Sequence, residues 1–357
     1  MRVARITAAL IAALVLIPAT AALAHSPVFP KENHSASTAY EINDTAKSWA
    51  IYAKLEHDSS GDFYEFTVSR GDKIQLSLIV PDSPSKSGFL PSFALLVPGN
   101  TQNDSVPAYI EVPAGYGTVV VNGADPGEAV YEPFTPGWFY EVSNLRMNAP
   151  ADGTYYVVVF NHVRHNDDTL THAHQDGNYG LVVGYIESFT PLELILVPYN
   201  AQEIYRWEGQ SQLITLLPII LVLIVGGIIL YRRSKRDNAP KGISKWLAAF
   251  AGLAFLGSAV TTIYQMLRAF GVTGVMGEAV ITLVLVIISV VLALFTLMYA
   301  VREKPTLTLW RRVVFIVIGI IALFAWSGLY LGSALVISAA LTPPYFVERS
   351  SSLQATA

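Results

Sequence analysis

Cysteine is absent from this 357-residue chain, which excludes disulfides, thiolate metal ligands and thiol nucleophiles. Charge is scarce as well. Asp, Glu, Lys and Arg make up 14% of the residues against 52% hydrophobic, too apolar a balance for an ordinary soluble protein. Histidine is missing from everything after residue 174. Also missing are a G-x-S-x-G elbow, an H-E-x-x-H pair and a glycine-rich phosphate loop, so no enzymatic activity is expected.

The scarcity of charge is uneven. Residues 25–208 carry 9 Lys+Arg against 23 Asp+Glu, although the whole chain is only −4. An acidic half of this kind argues against nucleic acid as a partner. After residue 208 come long apolar runs edged with basic residues. The run at 213–231 is followed by Arg232, Arg233, Lys235 and Arg236. About 20 apolar residues cross a bilayer as a helix, and basic flanks stay in the cytoplasm. Runs at 246–267, 279–301 and 313–341 extend the expectation to an all-α bundle of four transmembrane helices. In that reading 232–245 is a cytoplasmic loop and 342–357 an exterior tail. None of the four runs holds Asp, Glu, Lys, Arg or His, which speaks against a small channel or transporter. Arg268 and Glu278 sit near run ends and read as snorkelling residues. Gly328 and Gly332 form a G-x-x-x-G expected to pack helices closely.

At the other end, Arg2 and Arg5 precede an apolar run and Ala22-Leu23-Ala24, the pattern of a cleaved signal peptide over 1–24. His25 would then begin the mature chain. The expected location is the plasma membrane, with residues 25–188 outside the cell and four spans returning the C-terminus to the outside.

Residues 25–188 alternate apolar and polar in short β-branched and aromatic runs, punctuated by Gly, Pro, Asn and Asp. That is the signature of an all-β, jelly-roll-like antiparallel sandwich. Its motifs are Asp62-Phe63-Tyr64-Glu65-Phe66 through Arg70-Gly71-Asp72, then Phe93 to Gly99. Ala151-Asp152-Gly153-Thr154-Tyr155 and Asn178-Tyr179-Gly180 follow. In this order they resemble the pre-peptidase C-terminal domain, a β-sandwich attached to many secreted prokaryotic proteins. The resemblance covers residues 36–187 and implies a non-catalytic binding module. The stretch 132–140 has no counterpart in it, and its Trp138, Phe139 and Tyr140 form a candidate aromatic platform or a covered part of the core.

The histidines supply an alternative. His162, His165, His172 and His174 fall in one loop, expected at the tip of a hairpin between strands at 155–160 and 179–186. His172-Ala173-His174 sets two imidazoles on one side of an extended segment. A terminal amine and imidazole from His25 would complete a nitrogen set suited to copper or zinc. The combination is similar to the exterior copper site in the B subunit of particulate methane and ammonia monooxygenases, a likeness confined to His25, His172 and His174.

Between the halves, residues 189–212 hold Tyr199, Tyr205 and Trp207, aromatic types that settle at headgroup level. Thr190 followed by Pro191 reads as the start of a helix. The segment is expected to lie at the interface and press the sandwich against the membrane. Partners are therefore the membrane itself and a protein held by the sandwich or the bundle.

Overall fold

The computed structural model describes residues 25–56, 61–100, 102–161, 176–236, 240, 242–302 and 308–343. Two sheets form the first half. One has the order β1 (Ser26–Val28), β3 (Trp49–Leu55), β11 (Gly177–Val183), β5 (Lys73–Val80), β9 (Gly137–Asn148) and β8 (Val130–Glu132). The other runs β2 (Tyr40–Glu41), β4 (Asp62–Val68), β10 (Gly153–Asn161), β6 (Pro91–Pro98) and β7 (Tyr116–Val121). A short helix, α1 (Pro84–Ser87), links β5 to β6. Alternate residues of facing strands fill the space between the sheets: Tyr64 and Phe66, Leu76 and Leu78, Phe93 and Leu95, Val157 and Val159, and Tyr179 and Leu181. Period-two burial on one face of each strand is what makes this sandwich core.

Two expectations need correction. The sheets are mixed, because β1 pairs parallel with β3 and β2 parallel with β4. These short N-terminal strands lie along the sheet edges, where periodicity carries no information on direction. The strands flanking the histidine loop also do not pair. β10 lies between β4 and β6, whereas β11 lies between β3 and β5 in the opposite sheet. Both strands are covered on both faces. Val158 and Phe160, pointing away from the main core, pack with Phe63, Ala94 and Leu96. An apolar run of that kind does not reveal its neighbour.

α2 (Pro191–Trp207) begins with the capping box that Thr190 and Glu193 imply. The Glu193 N–H donates to Thr190 Oγ1 at 3.2 Å, and the Thr190 N–H donates to Glu193 Oε2 at 2.7 Å. Among the described residues, three helices are long and apolar enough to cross a membrane: α3 (Gln212–Ser234), α4 (Ile243–Thr273) and α5 (Ala279–Val301). With 31 residues, α4 is ~46 Å long at 1.5 Å per residue, well beyond a hydrocarbon core of ~30 Å.

The span expected over 313–341 is instead two helices, α6 (Leu309–Phe324) and α7 (Leu329–Leu341). They fold back on each other: Arg312 donates to the Ala340 carbonyl at 2.6 Å, and Gly319 lies against Ile337. Gly328, with φ 70°, makes the reversal possible. No proline marks the break, so the apolar run reads as continuous. At one end of the bundle Lys245 donates to the Arg302 carbonyl, and Ser244 donates to that of Ala339 at 3.1 Å. The end of α7 thus lies beside Arg302 and Arg312, at the end of the bundle that carries the basic residues. That placement corrects the expectation that the last apolar run ends on the opposite side of the bundle.

Candidate functional site

The excess length of α4 projects into a seam beneath the sandwich, and the stretch without a family counterpart forms the other side. In the β8–β9 hairpin Tyr131 pairs with Trp138 and Glu132 with Gly137. Tyr131 packs on Met266, Ala269 and Phe270 of α4 and on Ala279 of α5, with Trp138 alongside. The Tyr131 hydroxyl is 2.7 Å from Thr282 Oγ1, which donates to the Pro133 carbonyl at 2.7 Å. Phe139 packs with Tyr52 against Trp207, and Tyr140 belongs to the sandwich core. The three neighbouring aromatics are therefore not an open platform. Strand alternation divides them among the core, the end of α2 and the end of α4.

A polar chain runs through this apolar seam. Arg268 sits with its guanidinium 5.3 Å from the centre of the Trp138 ring and donates to Gln265 Oε1 at 3.2 Å. Gln265 donates to Gln210 Oε1 at 2.9 Å, and Gln210 donates to Glu208 Oε2 at 2.6 Å. Glu208 occupies the turn between α2 and α3 and presses on Gly137, where a β-carbon would come within 2.2 Å of Oε1. A side chain there would have to displace the Glu208 carboxylate. Glu132 accepts from the Phe134 N–H at 3.0 Å. Burial pushes the Glu132 carboxyl up to about 7, against the backbone N–H groups of Phe134 and Thr135 and aided by Glu187. Burial likewise pushes Glu208 up to about 8, with Gln210 and Arg268 opposing and Glu132 adding to the rise. Two carboxyls raised by burial, one of them opposed by Arg268, thus lie at the joint between two folded bodies.

A third buried carboxyl lies inside the sandwich. Asp62 Oδ2 accepts from the Tyr179 hydroxyl at 2.6 Å, the Tyr179 and Tyr64 hydroxyls are 2.6 Å apart, and Asp62 Oδ1 is 2.9 Å from His34 Nδ1. Tyr64 and Tyr179 belong to opposite sheets, so the network staples the sandwich together. Burial raises the Asp62 carboxyl above its ordinary range.

Of the histidine set, His162, His165, His172 and His174 lie outside the described residues. His25 precedes β1, with Nδ1 2.5 Å from Ser48 Oγ. Ser26 pairs with Trp49, whereas Gly177, where the chain re-enters after the histidine loop, pairs with Leu55. Six residues of β3, ~20 Å of extended chain, separate those two points. Gly328 and Gly332 both face Phe255 of α4, where added β-carbons would come within 2.7 and 2.5 Å of its ring.

Glu132, Glu208 and Gln210 carry no sequence signal beyond their place in stretches without a family pattern. Arg268 does carry one. It follows Gln265 by three residues, one helical turn, on a helix that outlasts the bilayer. It is held over Trp138 rather than reaching free into the headgroups.

Neither a family model nor a curated protein matches the sequence. Among solved structures, 43% of the chain aligns with 94% of the pre-peptidase C-terminal domain of a collagenase from Bacillus anthracis, at 19% identity and a TM-score of 0.23. This is the kind of domain that the strand motifs resemble. CorA, a surface-associated copper-binding protein of Methylomicrobium album BG8, aligns over 99% of its length with 46% of this chain, at 10% identity and a TM-score of 0.21. The secreted protein MopE of Methylococcus capsulatus aligns over 71% of its length with 36% of this chain, at 14% identity and a TM-score of 0.18. Scores at this level assign no activity.

Proposed function

We propose that this is a membrane-anchored cell-envelope protein whose β-sandwich is a non-catalytic module for binding a ligand or a partner protein, held in a fixed pose above the bilayer. One observation carries the reading: the sandwich is docked rather than tethered. Trp207 at the end of α2 lies on the first sheet and donates to the Tyr179 carbonyl at 3.0 Å. Lys47 binds Glu193 Oε1 at 2.5 Å, and the seam of Tyr131, Trp138 and Arg268 adds a third attachment. A simple anchor needs one helix and a flexible linker. Three points of attachment fix the orientation of the sandwich's free surface, which matters to a module that presents a ligand or partner to something in the same membrane.

In this reading the basic end of the bundle faces the cytoplasm and the sandwich faces outward. The α6–α7 pair rises from the cytoplasmic side and returns to it, leaving the end of α7 inside. Pull-down of the full-length protein from its native membrane in mild detergent tests the proposal. A partner that is retained by the wild type and lost when surface residues of the sandwich are changed supports it. A partner-free protein that moves solute across liposomes overturns it.

A further inference from the structure

The tip of the α6–α7 hairpin and the underside of α2 meet around a cavity of about 80 Å³. Its wall includes Phe134 of the sandwich, Gln202 of α2, Thr261 of α4, Ser289 of α5, and Trp326 and Leu329 of the tip. Helices α6 and α7, with 16 and 13 residues, are ~24 and ~20 Å long, short of a full crossing. α2 lies over their tip. Two interrupted helical elements thus approach each other from opposite sides, and the cavity is where they meet. Irregular backbone at such depth is tolerated where protein buries it or where it lines a cavity.

The join is specific. Pro198 has no amide hydrogen, so the Leu194 carbonyl lacks its helical donor. The Trp326 indole N–H supplies one at 2.9 Å, and the Tyr330 hydroxyl donates to the Ile195 carbonyl at 3.0 Å. Trp326 and Leu329 hold φ at 56° and 53°, a left-handed conformation that side chains with a β-carbon adopt at a cost and that concentrates at functional sites. Both residues line the cavity.

The chemistry of the wall narrows the ligand. No charged side chain stands among the described lining residues. A buried phosphate or carboxylate without a cation would be costly, so an anionic or zwitterionic head does not fit. Gln202 Oε1 accepts from Thr215 at 2.8 Å, while its amide nitrogen has no partner among the described residues. Thr261 donates to the Gly257 carbonyl at 3.0 Å, which leaves its oxygen free to accept. Gln202 and Thr261 offer a donor and an acceptor on a wall whose other polar groups, among them Thr262 and Ser289, are uncharged hydroxyls, a set that matches a hydroxyl or an ester.

We propose that this cavity binds the head of an uncharged glycerolipid from the outer leaflet, with Gln202 donating to an ester carbonyl and Thr261 accepting from the hydroxyl. The lipid rather than the aqueous phase is the source, because four of the six elements that wall the cavity are bundle helices or the hairpin tip. Leu192, Leu196 and Tyr199 of α2 are exposed beside it. The proposal rests on the membrane placement of the helices but not on the sandwich having a partner, so the two can fail separately.

The test uses the full-length protein in phosphatidylcholine nanodiscs, with brominated dioleoylglycerol or brominated phosphatidylcholine as quencher of tryptophan fluorescence. A Trp326→Phe variant isolates the signal of that residue. The diacylglycerol should quench the Trp326 part at a lower mole fraction than phosphatidylcholine does. Gln202→Leu and the near-isosteric Thr261→Val should each weaken that preference by about tenfold, the weight of one hydrogen bond. Equal quenching by the two lipids overturns the proposal, as does a preference that both variants keep. Displacement by millimolar glycerol overturns the lipid source in favour of a soluble one.

Discussion

The Arg268 guanidinium lies 5.3 Å from the centre of the Trp138 ring, joining the last turns of a long apolar helix to β9, the penultimate strand of the first sheet. Trp138 gives an apolar face that shields the charge, and Gln265 takes one of its N–H groups. The contact gives the extra length of α4 a use: its last turns are the footing for the sandwich. Replacing Trp138 by alanine should lower stability by about 2–4 kcal/mol, since a large aromatic is removed from a packed site. Thermal unfolding of the detergent-solubilised protein measures this, with Arg268→Lys as a milder companion that keeps charge but loses the planar stack.

Glu132 and Glu208 make the seam pH-dependent. Their carboxyls are held up to about 7 and about 8 in the folded protein, above the ordinary 4.5, chiefly by burial. The folded state therefore keeps protons that the unfolded chain has released. Their contribution to stability is fully present below 4.5 and is lost as pH rises through 7 to 8. The midpoint of thermal unfolding should fall as pH rises from about 5 to 8, and Glu132→Gln with Glu208→Gln should flatten that slope. A slope unchanged in the double variant would place the titration elsewhere.

Lys47 and Glu193 form the second attachment. Burial alone would raise the Glu193 carboxyl, but Lys47 and the Thr190 N–H and hydroxyl outweigh it and hold it below the ordinary value. Glu193→Ala removes both the ion pair and the capping box of α2, at a cost of about 1–2 kcal/mol. Proteolysis near the start of α2 should then become faster than in the wild type.

A chain without cysteine suits mapping by single introduced thiols. Ser234→Cys and Leu341→Cys, the latter at an exposed position at the end of α7, should react with a membrane-impermeant maleimide from the same side. Val275→Cys, at a position 83% exposed between α4 and α5, should react from the other side. Labelling of Leu341→Cys together with Val275→Cys would contradict the folded-back pair.

His25 sits at the Trp49 end of β3, and the histidine loop rejoins the sheet at the Leu55 end. His25→Ala should therefore leave the copper or zinc affinity of the full-length protein unchanged in calorimetric titration. A loss of binding in that variant would restore the shared site.

Much of this architecture is written locally. Alternation in Phe63–Phe66 and Ile74–Leu78 places every second side chain in the sandwich core, because the two faces of a strand differ in burial whatever its neighbours are. Runs of apolar residues ending in Arg232, Arg233 and Arg302 mark membrane helices, because the cost of placing charge in hydrocarbon acts on each segment separately. Thr190, Pro191 and Glu193 specify the start of α2 within four residues. The sequence by itself therefore determined the two halves, the helix between them and the expected direction of the first span.

Tertiary structure decided the rest. Which sheet receives β10 and which receives β11 depends on neighbours far away in the chain. The reversal at Trp326 and Gly328 is stabilised by α2, more than a hundred residues earlier, so the apolar run alone looked unbroken. The seam joins Glu132, Glu208 and Arg268 from three separate regions. Each is an ordinary surface charge until folding removes its water, and that removal is what raises the two carboxyls and gives the joint its chemistry.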